Sequence, residues 1–279
     1  MSKNTLVVMM ADMHSGSNYA LFPDHPYDLQ KGNNHHATSL QQRIRQHFET
    51  TSERIAEDRK DKRVILVHNG DALDGFHHDN TDIATRQATE QMEIHQELMV
   101  EFQRRINWQA GDQLYYTVGT ECHTGDNENI VAEKLNAVQT LDGMYVFQNL
   151  QLEINNFLTM FVHHGPNGGF GKNEGNALRS WLENIYIDYG KNRQPVPDLV
   201  VSGHVHTATF NDCIMREDDR YRRISGVILP SWQAKTRFAH RVSPVARNRV
   251  GTATIEIGDM MGTPTFYLMN TESTIPMRA

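Results

Sequence analysis

The chain has 279 residues, 38% of them apolar and 22% charged, an ordinary composition for a soluble protein. The net charge is −7 with histidine neutral, and no long basic block occurs, which gives no support for wrapping duplex nucleic acid. Only two cysteines occur, Cys122 and Cys213, far apart; they exclude a disulfide framework and a CxxC metal site, and point to a reducing, cytoplasmic setting.

The first apolar run, TLVVMMAD (5–12), is too short for a membrane span and no small-residue cleavage site follows it. It reads as a first β-strand. Segment 15–38 has no periodicity and reads as a long loop, a kind of segment that is often functional. Residues 39–60 have the charge and periodicity of a surface helix. RVILVHNGD (63–71) follows as a second strand. The clearest helix is expected over 81–106, where Ala84, Ala88, Met92, Met99, Phe102 and Ile106 recur at three- and four-residue steps behind Asn80 and Thr81.

QLYYTVGT (113–120), FLTMFVHHG (157–165) and DLVVSGH (198–204) read as three further buried strands. Helices are expected over 128–139 and 176–189. The segment GPNGGFGKNEGN (165–176) holds five glycines and is either a connector or a mobile rim of a site. After residue 205 the pattern turns to strands, at 207–215, 221–229, 248–257 and 264–269. Alternating strands and helices with a β-rich tail predict a layered α/β fold. No linker or internal repeat interrupts it, so one domain is expected over 1–279.

Fifteen histidines are many for this length. Nine of them, His14, His68, His77, His78, His123, His163, His164, His204 and His206, stand at or near the ends of apolar runs. The first strand ends in Asp12-x-His14, the second in Asp71 and Asp74, the third in Glu121 and His123. The fourth ends in His163-His164-Gly165 and the fifth in Gly203-His204-x-His206. Strand ends in open α/β sheets converge on one crevice, so five exits would deliver carboxylates and imidazoles to one place.

This ordered set resembles the calcineurin-like metallophosphoesterase family, as five short blocks between residues 6 and 206. The resemblance implies a four-layer α/β/β/α sandwich of two mixed β-sheets flanked by helices, with a metal site at the strand ends. It implies a hydrolase of phosphate esters that uses two divalent transition-metal ions. Asp12, His14 and His206 would hold one ion, His164 and His204 the other, with Asp71 shared. Mixed nitrogen and oxygen ligands suit Mn, Fe, Zn, Co or Ni, with Mn favoured here. Two such cations clamp a phosphate, acidify water and stabilise the leaving oxygen.

The third block departs from the family's Gly-Asn-His-Asp/Glu and reads Gly119-Thr120-Glu121-Cys122-His123. Glu121 is expected to replace the Asn as a ligand, with Cys122, Thr120, water or nothing as the alternatives. His123 is expected to protonate the leaving group or stabilise the transition state. Asp126 or Glu128 would orient it. Asp74 either holds a ligand histidine in its tautomer or simply forms a turn before Gly75. His163 is expected to be structural or supporting, His68 a core histidine, and His77 and His78 a solvated loop near the site.

The tail stretch LPSWQAKTRFAHRV (229–242) brings Trp232, Lys235, Arg237, His240 and Arg241 together. It is either an ordinary basic surface loop or a substrate clamp in which Trp232 stacks on an aromatic group and Arg237 meets phosphate. The long loop and this tail slightly favour phosphodiesters over monoesters. A nuclease on DNA or RNA, a phosphomonoesterase, a single-metal hydrolase and an inactive scaffold are the competing readings. No membrane partner is expected.

Overall fold

The computed structural model describes residues 4–29, 33–76, 82–169, 171–217, 219–242 and 248–270. The first half of the chain forms β1 (Thr5–Met10), β2 (Tyr27–Leu29), β3 (Asn33–His35), α1 (Ser39–Arg59), β4 (Arg63–Asn69), α2 (Ala88–Arg105), β5 (Gln113–Thr117), α3 (Glu121–Thr124) and α4 (Asn127–Lys134). The second half forms β6 (Val146–Phe147), β7 (Leu150–Ile154), β8 (Phe157–Phe161), α5 (Asn176–Lys191), β9 (Leu199–Ser202), β10 (Thr209–Glu217), β11 (Arg220–Ile228), α6 (Arg237–Val242), β12 (Gly251–Ile257) and β13 (Thr265–Leu268).

Two mixed sheets carry the fold. One has the order β13-β12-β1-β4-β5-β6, the other β10-β11-β9-β8-β7. Side chains alternate faces along a strand, and this chain uses both faces of each sheet. In β1, Val7 and Met9 point into the core between the sheets, while Leu6, Val8 and Met10 face α1, α2 and α4. In β9, Leu199 and Val201 enter the inter-sheet core and Val200 packs with Leu178 and Leu182 of α5. Helix, sheet, sheet and helix therefore stack in four layers. Burying each such aliphatic side chain contributes about 1.5–3 kcal/mol, which explains why continuous apolar runs, not alternating ones, mark the central strands.

Strands β1, β4 and β5 are mutually parallel, and so are β8 and β9. Their C-terminal ends thus lie along one edge of the sandwich, which is what gathers the candidate site. Helix α1 begins with a capping box: Gln41 N–H donates to Thr38 Oγ1 at 3.2 Å, and Thr38 N–H donates to Gln41 Oε1 at 3.0 Å. The Gln41 amide also donates to the Ser17 carbonyl at 3.1 Å, tying the helix to the loop after β1.

Two expectations need correction. Helix α2 starts at Ala88, not near residue 81, because Thr85 and Gln87 set up its entry: Gln87 N–H donates to Thr85 Oγ1. Ala84 therefore precedes the helix, and Asn80 and Thr81 lie outside the described residues. Segment 15–38 is not all loop, since β2 and β3 pair as an antiparallel ribbon. Strands of three residues are too short to show a period. No helix among the described residues is long and apolar enough to cross a membrane.

Candidate metal centre

The strand exits are held in unusual backbone. Twelve described non-glycine residues have positive φ, and five of them are Asp12 (53°), His14 (44°), Asp71 (52°), His204 (69°) and His206 (55°). Such conformations cost on the order of 1–3 kcal/mol each unless the surroundings enforce them, and they cluster at functional sites. Here the surroundings are two sheet edges pinned together. Asp12 N–H donates to Gly70 O at 2.9 Å and His14 N–H to Asp71 O at 3.0 Å. The Asn69 side-chain amide donates to Val162 O at 3.0 Å, and the His204 N–H donates to the Asp12 carboxylate at 3.0–3.1 Å. A Cβ at residue 203 would stand 2.9 Å from Asp12 Oδ2, so Gly203 is what allows this approach.

Asp12, His14 and His206 form one cluster, with ligand atoms all within 4.8 Å of one another. His206 Nε2 lies 3.2 Å from Asp12 Oδ1, and its Nδ1 is 3.0 Å from the Asn248 side-chain amide. His14 Nδ1 is 3.4 Å from Asp74 Oδ1, which in turn accepts from Gln233 Nε2 at 3.1 Å. His14 Nε2 is buried without a hydrogen-bond partner among the described residues, 4.0 Å from both Asp12 Oδ1 and Asp71 Oδ2. Burial would push the Asp12 carboxyl up, but the His206 ring, aided by His163, outweighs that and holds it below its usual range.

Asp71, Asp12 and His163 form a second cluster, and His163, His164 and His204 a third that continues it. His163 sits deepest. Its Nδ1–H donates to Asn69 O at 2.8 Å, and its Nε2 lies 3.1 Å from Asp71 Oδ2. Burial opposes a charge on His163, yet the Asp71 hydrogen bond and the charge of Asp12 prevail and raise its pKa to about 9. The same pairing holds Asp71 well below the ordinary carboxylate range despite its burial. His164 is exposed and stacks at a tilt on His204, with ring centroids 4.6 Å apart. Burial and then the nearby His163 and His164 hold the His204 pKa down.

In the third block Thr120, not Glu121, turns inward. Thr120 N–H donates to Asp71 Oδ1 at 2.6 Å and its hydroxyl to Asp71 Oδ2 at 3.2 Å. The hydroxyl also lies 3.4 Å from His163 Nε2 and His204 Nδ1. Glu121 opens α3 with an exposed side chain and belongs to none of the candidate ligand groups found among the described residues. Cys122 is exposed beside it. Glu128 does not orient His123: it is buried, and its two carboxylate oxygens accept from Ala72 N–H at 2.9 Å and Gly119 N–H at 2.7 Å. It thereby clamps the loops that carry Asp71 and Thr120. Burial, then the charge of Asp71, pushes its pKa up to about 7.

His123 stands next to the first cluster. Its ring packs edge-on to His14 with centroids 4.8 Å apart, and its Nδ1–H donates to Asp74 O at 2.7 Å. A cavity of about 220 Å³ opens beside it. Asp126 is exposed before α4. Trp232 is not a substrate-stacking residue: it is fully buried against Phe48 and His47 in the core. Its backbone still reaches the site, with Trp232 N–H donating to Asp12 O at 3.0 Å. Arg237 is exposed and donates to the Tyr19 hydroxyl at 3.2 Å, so it belongs to the rim formed by the loop after β1. His77 and His78 lie outside the described residues.

Sequence reasoning gave His163 a supporting place, and gave Gln233, Asn69 and Asn248 none. A His-His-Gly ending does not say which ring faces inward, and a lone Asn or Gln carries no motif.

Fold and site together define a four-layer α/β/β/α protein with clustered carboxylates and imidazoles on one edge of its sandwich. No family model matches the sequence, and no curated protein matches it. Solved structures similar to the chain include a conserved uncharacterized protein, a predicted phosphoesterase, from Streptococcus pneumoniae TIGR4. The TM-score is 0.35 at 11% identity, over 95% of this chain and 90% of that one. Wild-type Vps29 complexed with Zn2+ from Entamoeba histolytica gives 0.39 at 10% identity, over 94% and 99%. Sulfate thiohydrolase SoxB of Thermus thermophilus, in complex with glycerol, gives 0.38 at 9% identity, over 96% of this chain and 57% of that enzyme. Likenesses at this distance carry no argument about chemistry, and the functional reading rests on the site.

Proposed function

We propose that the chain is a metal-dependent phosphoesterase of the calcineurin-like kind, acting on phosphodiesters in preference to monoesters. The observation that carries this reading is the convergence of Asp12, His14, Asp71, His163, His204 and His206 on one edge, with Asp71 between the two groups. The residues present fit a pair of cations. Among the described residues His14 Nε2 is a buried nitrogen with no hydrogen-bond partner, and the Nδ1 protons of His163 and His123 are fixed on carbonyls, which sets the tautomer of each ring.

Asp12, His14, His206 and Asp71 would hold one ion. Asp71, His163 and His204 would hold the second, with His164 at the solvent side and the Thr120 hydroxyl alongside. Such ions, with Mn favoured, supply the positive charge that binds a phosphate and activates water. The chain's own groups do the rest. Asp74 and Gln233 fix the His14 ring, Asn248 fixes His206, and Glu128 fixes the turn that presents Asp71. His123, anchored through Nδ1, is placed to give the leaving alcohol a proton from Nε2.

The test is a chelated protein reloaded with Mn2+ or Zn2+ and assayed on bis(4-nitrophenyl) phosphate and 4-nitrophenyl phosphate. Two ions per chain by mass spectrometry, and diester turnover exceeding monoester turnover, are expected. Asp71→Asn should bind less metal and lose turnover. Full activity in that variant overturns the reading.

A further inference from the structure

The cavity beside His123 extends away from Asp71, and its walls are built. Gln91 is 1% exposed and grips Gly75 from both sides, its Oε1 accepting from Gly75 N–H at 2.9 Å and its Nε2 donating to Gly75 O at 3.3 Å. The same Nε2 donates to Thr85 O at 2.9 Å. Gly75 has φ of 68°, and a Cβ there would stand 2.3 Å from the His123 carbonyl oxygen. The loop after β4 is thus pressed against the turn after β5, which sets Phe76 at the mouth of the cavity.

Phe76 is 46% exposed, although an aromatic ring is among the side chains with most to gain from burial. The Arg86 guanidinium carbon lies over its ring, 4.6 Å from the centroid, so a cation covers one face of the aromatic ring at the cavity. The same cavity is lined by Glu121 and by Asn127, whose amide nitrogen donates to Thr124 O at 3.1 Å. An exposed aromatic ring carrying a guanidinium, in a cavity also lined by a carboxylate and an amide, suits a planar nitrogen heterocycle with N–H donors at its edge. It does not suit an alkyl chain, which would use neither.

We propose that this cavity holds the nucleobase on one arm of a phosphodiester substrate, stacked on the Phe76–Arg86 wall and read at its edge by Glu121 and Asn127. The inference rests on the phosphoesterase reading for the reaction, but the binding site can be tested without it. It gives Glu121 a role in substrate choice in place of metal binding. The acidic chain and the size of the cavity, about 220 Å³, favour a small nucleotide diester over a polymer.

The experiment has two arms. In the first, adenosine and ribose are titrated calorimetrically into the metal-free protein. Adenosine should bind at least about tenfold more tightly than ribose, and Phe76→Ala should weaken adenosine about tenfold, the scale of one base–aromatic stack. Equal binding of adenosine and ribose, or unchanged adenosine binding in Phe76→Ala, overturns the inference. In the second arm, the Mn-loaded protein hydrolyses the adenosine and methyl esters of 4-nitrophenyl phosphate, which release the same phenol. Wild type should prefer the adenosine ester in kcat/KM by about tenfold or more, and Phe76→Ala should shrink that ratio mainly through KM. Hydrolysis of both esters without preference sinks the nucleobase site and leaves the phosphoesterase reading standing. Adenosine binding without hydrolysis of any diester does the reverse.

Discussion

Two groups of histidines stand at the edge of the sandwich and behind it, and they behave in opposite ways. At the edge, His163 touches Asp71 and its pKa rises to about 9. Between the first sheet and α2, His68 of β4, Tyr116 of β5 and His95 of α2 form a ring-packed group with centroids 4.9–5.9 Å apart, and burial drives the His95 pKa down to about 3. His95 is neutral there, bonded to Tyr116 Oη at 2.8 Å and Ser15 Oγ at 3.2 Å. His163 and His95 are both buried, so burial does not separate them. Carboxylates do: the edge group is interleaved with Asp12, Asp71 and Asp74, while hydroxyls surround the inner one. The edge is also where five side chains sit on positive-φ backbone. A metal takes deprotonated ligands, and carboxylates beside imidazole nitrogens favour a divalent cation; of the two groups, the edge offers that mixture.

The largest expected effect tests that division directly. His163→Ala should abolish metal-dependent turnover and lower the ion count per chain. His95→Gln should leave metal binding well short of the roughly 10–100-fold loss expected for a hydrogen-bond partner of a ligand, because His95 bonds Tyr116 and Ser15 rather than a candidate ligand. Loss of metal in both variants, or in neither, would erase the distinction between the groups.

Next in size is the third block. Thr120→Ala should weaken metal binding by roughly 10–100-fold, the usual range when a hydrogen-bond partner of a ligand is removed, because it takes a hydroxyl away from Asp71. Glu121→Gln should change metal affinity far less, read by the same calorimetric titration. A larger loss in Glu121→Gln would restore Glu121 as a ligand.

This block also shows where the sequence stops being readable. The apolar runs placed β1, β4, β5, β8 and β9 because each is short and buried on both faces. The Asp-x-His and Gly-His-x-His pairs could be located because a strand end fixes where they emerge. Glu121 could not be placed: a helix starts there, and one residue of offset decides whether an oxygen faces Asp71 or solvent. The same holds for His163 and His164. Their neighbours follow alternation, but β8 ends at Phe161, and nothing local says which of two adjacent rings turns to the other sheet. Trp232 failed for another reason. A bulky aromatic beside basic residues reads as a surface clamp, while the pocket it fills is made by Phe48 and His47 from α1, nearly two hundred positions away in sequence.

Acidity should separate the two groups in stability as well. His163 has a folded pKa above its unfolded value of about 6.5, so in the metal-free protein its contribution is complete below that pH and is lost as pH rises through about 9. His95 has the opposite sign: its contribution is complete above about 6.5 and is lost as pH falls toward about 3. Urea unfolding of the metal-free protein should show both slopes. Glu128, raised to about 7, acts in the same direction as His163 and overlaps the window of His95. The difference between wild type and His95→Gln isolates His95, and it should grow with pH between about 4 and 6.5. Because His163 must give up its proton to a cation, metal affinity should also rise about tenfold per pH unit below 9 for that one proton.

The smallest effect is the most discriminating for the inner group. Both nitrogens of His68 are fully buried with no hydrogen-bond partner among the described residues, and burial holds the ring neutral. An unsatisfied buried polar group costs about 1–3 kcal/mol, and replacing it by an apolar group of similar shape is neutral or stabilising. A phenyl ring keeps the stacking on Tyr116, where the centroids are 4.9 Å apart. His68→Phe should therefore raise stability by about 1 kcal/mol, read as a higher urea midpoint at pH 7, with some of the gain offset by the larger ring in a packed core. If the variant loses metal or turnover as His163→Ala does, His68 belongs to the site and the boundary between the two groups lies deeper in the sheet than the carboxylates place it.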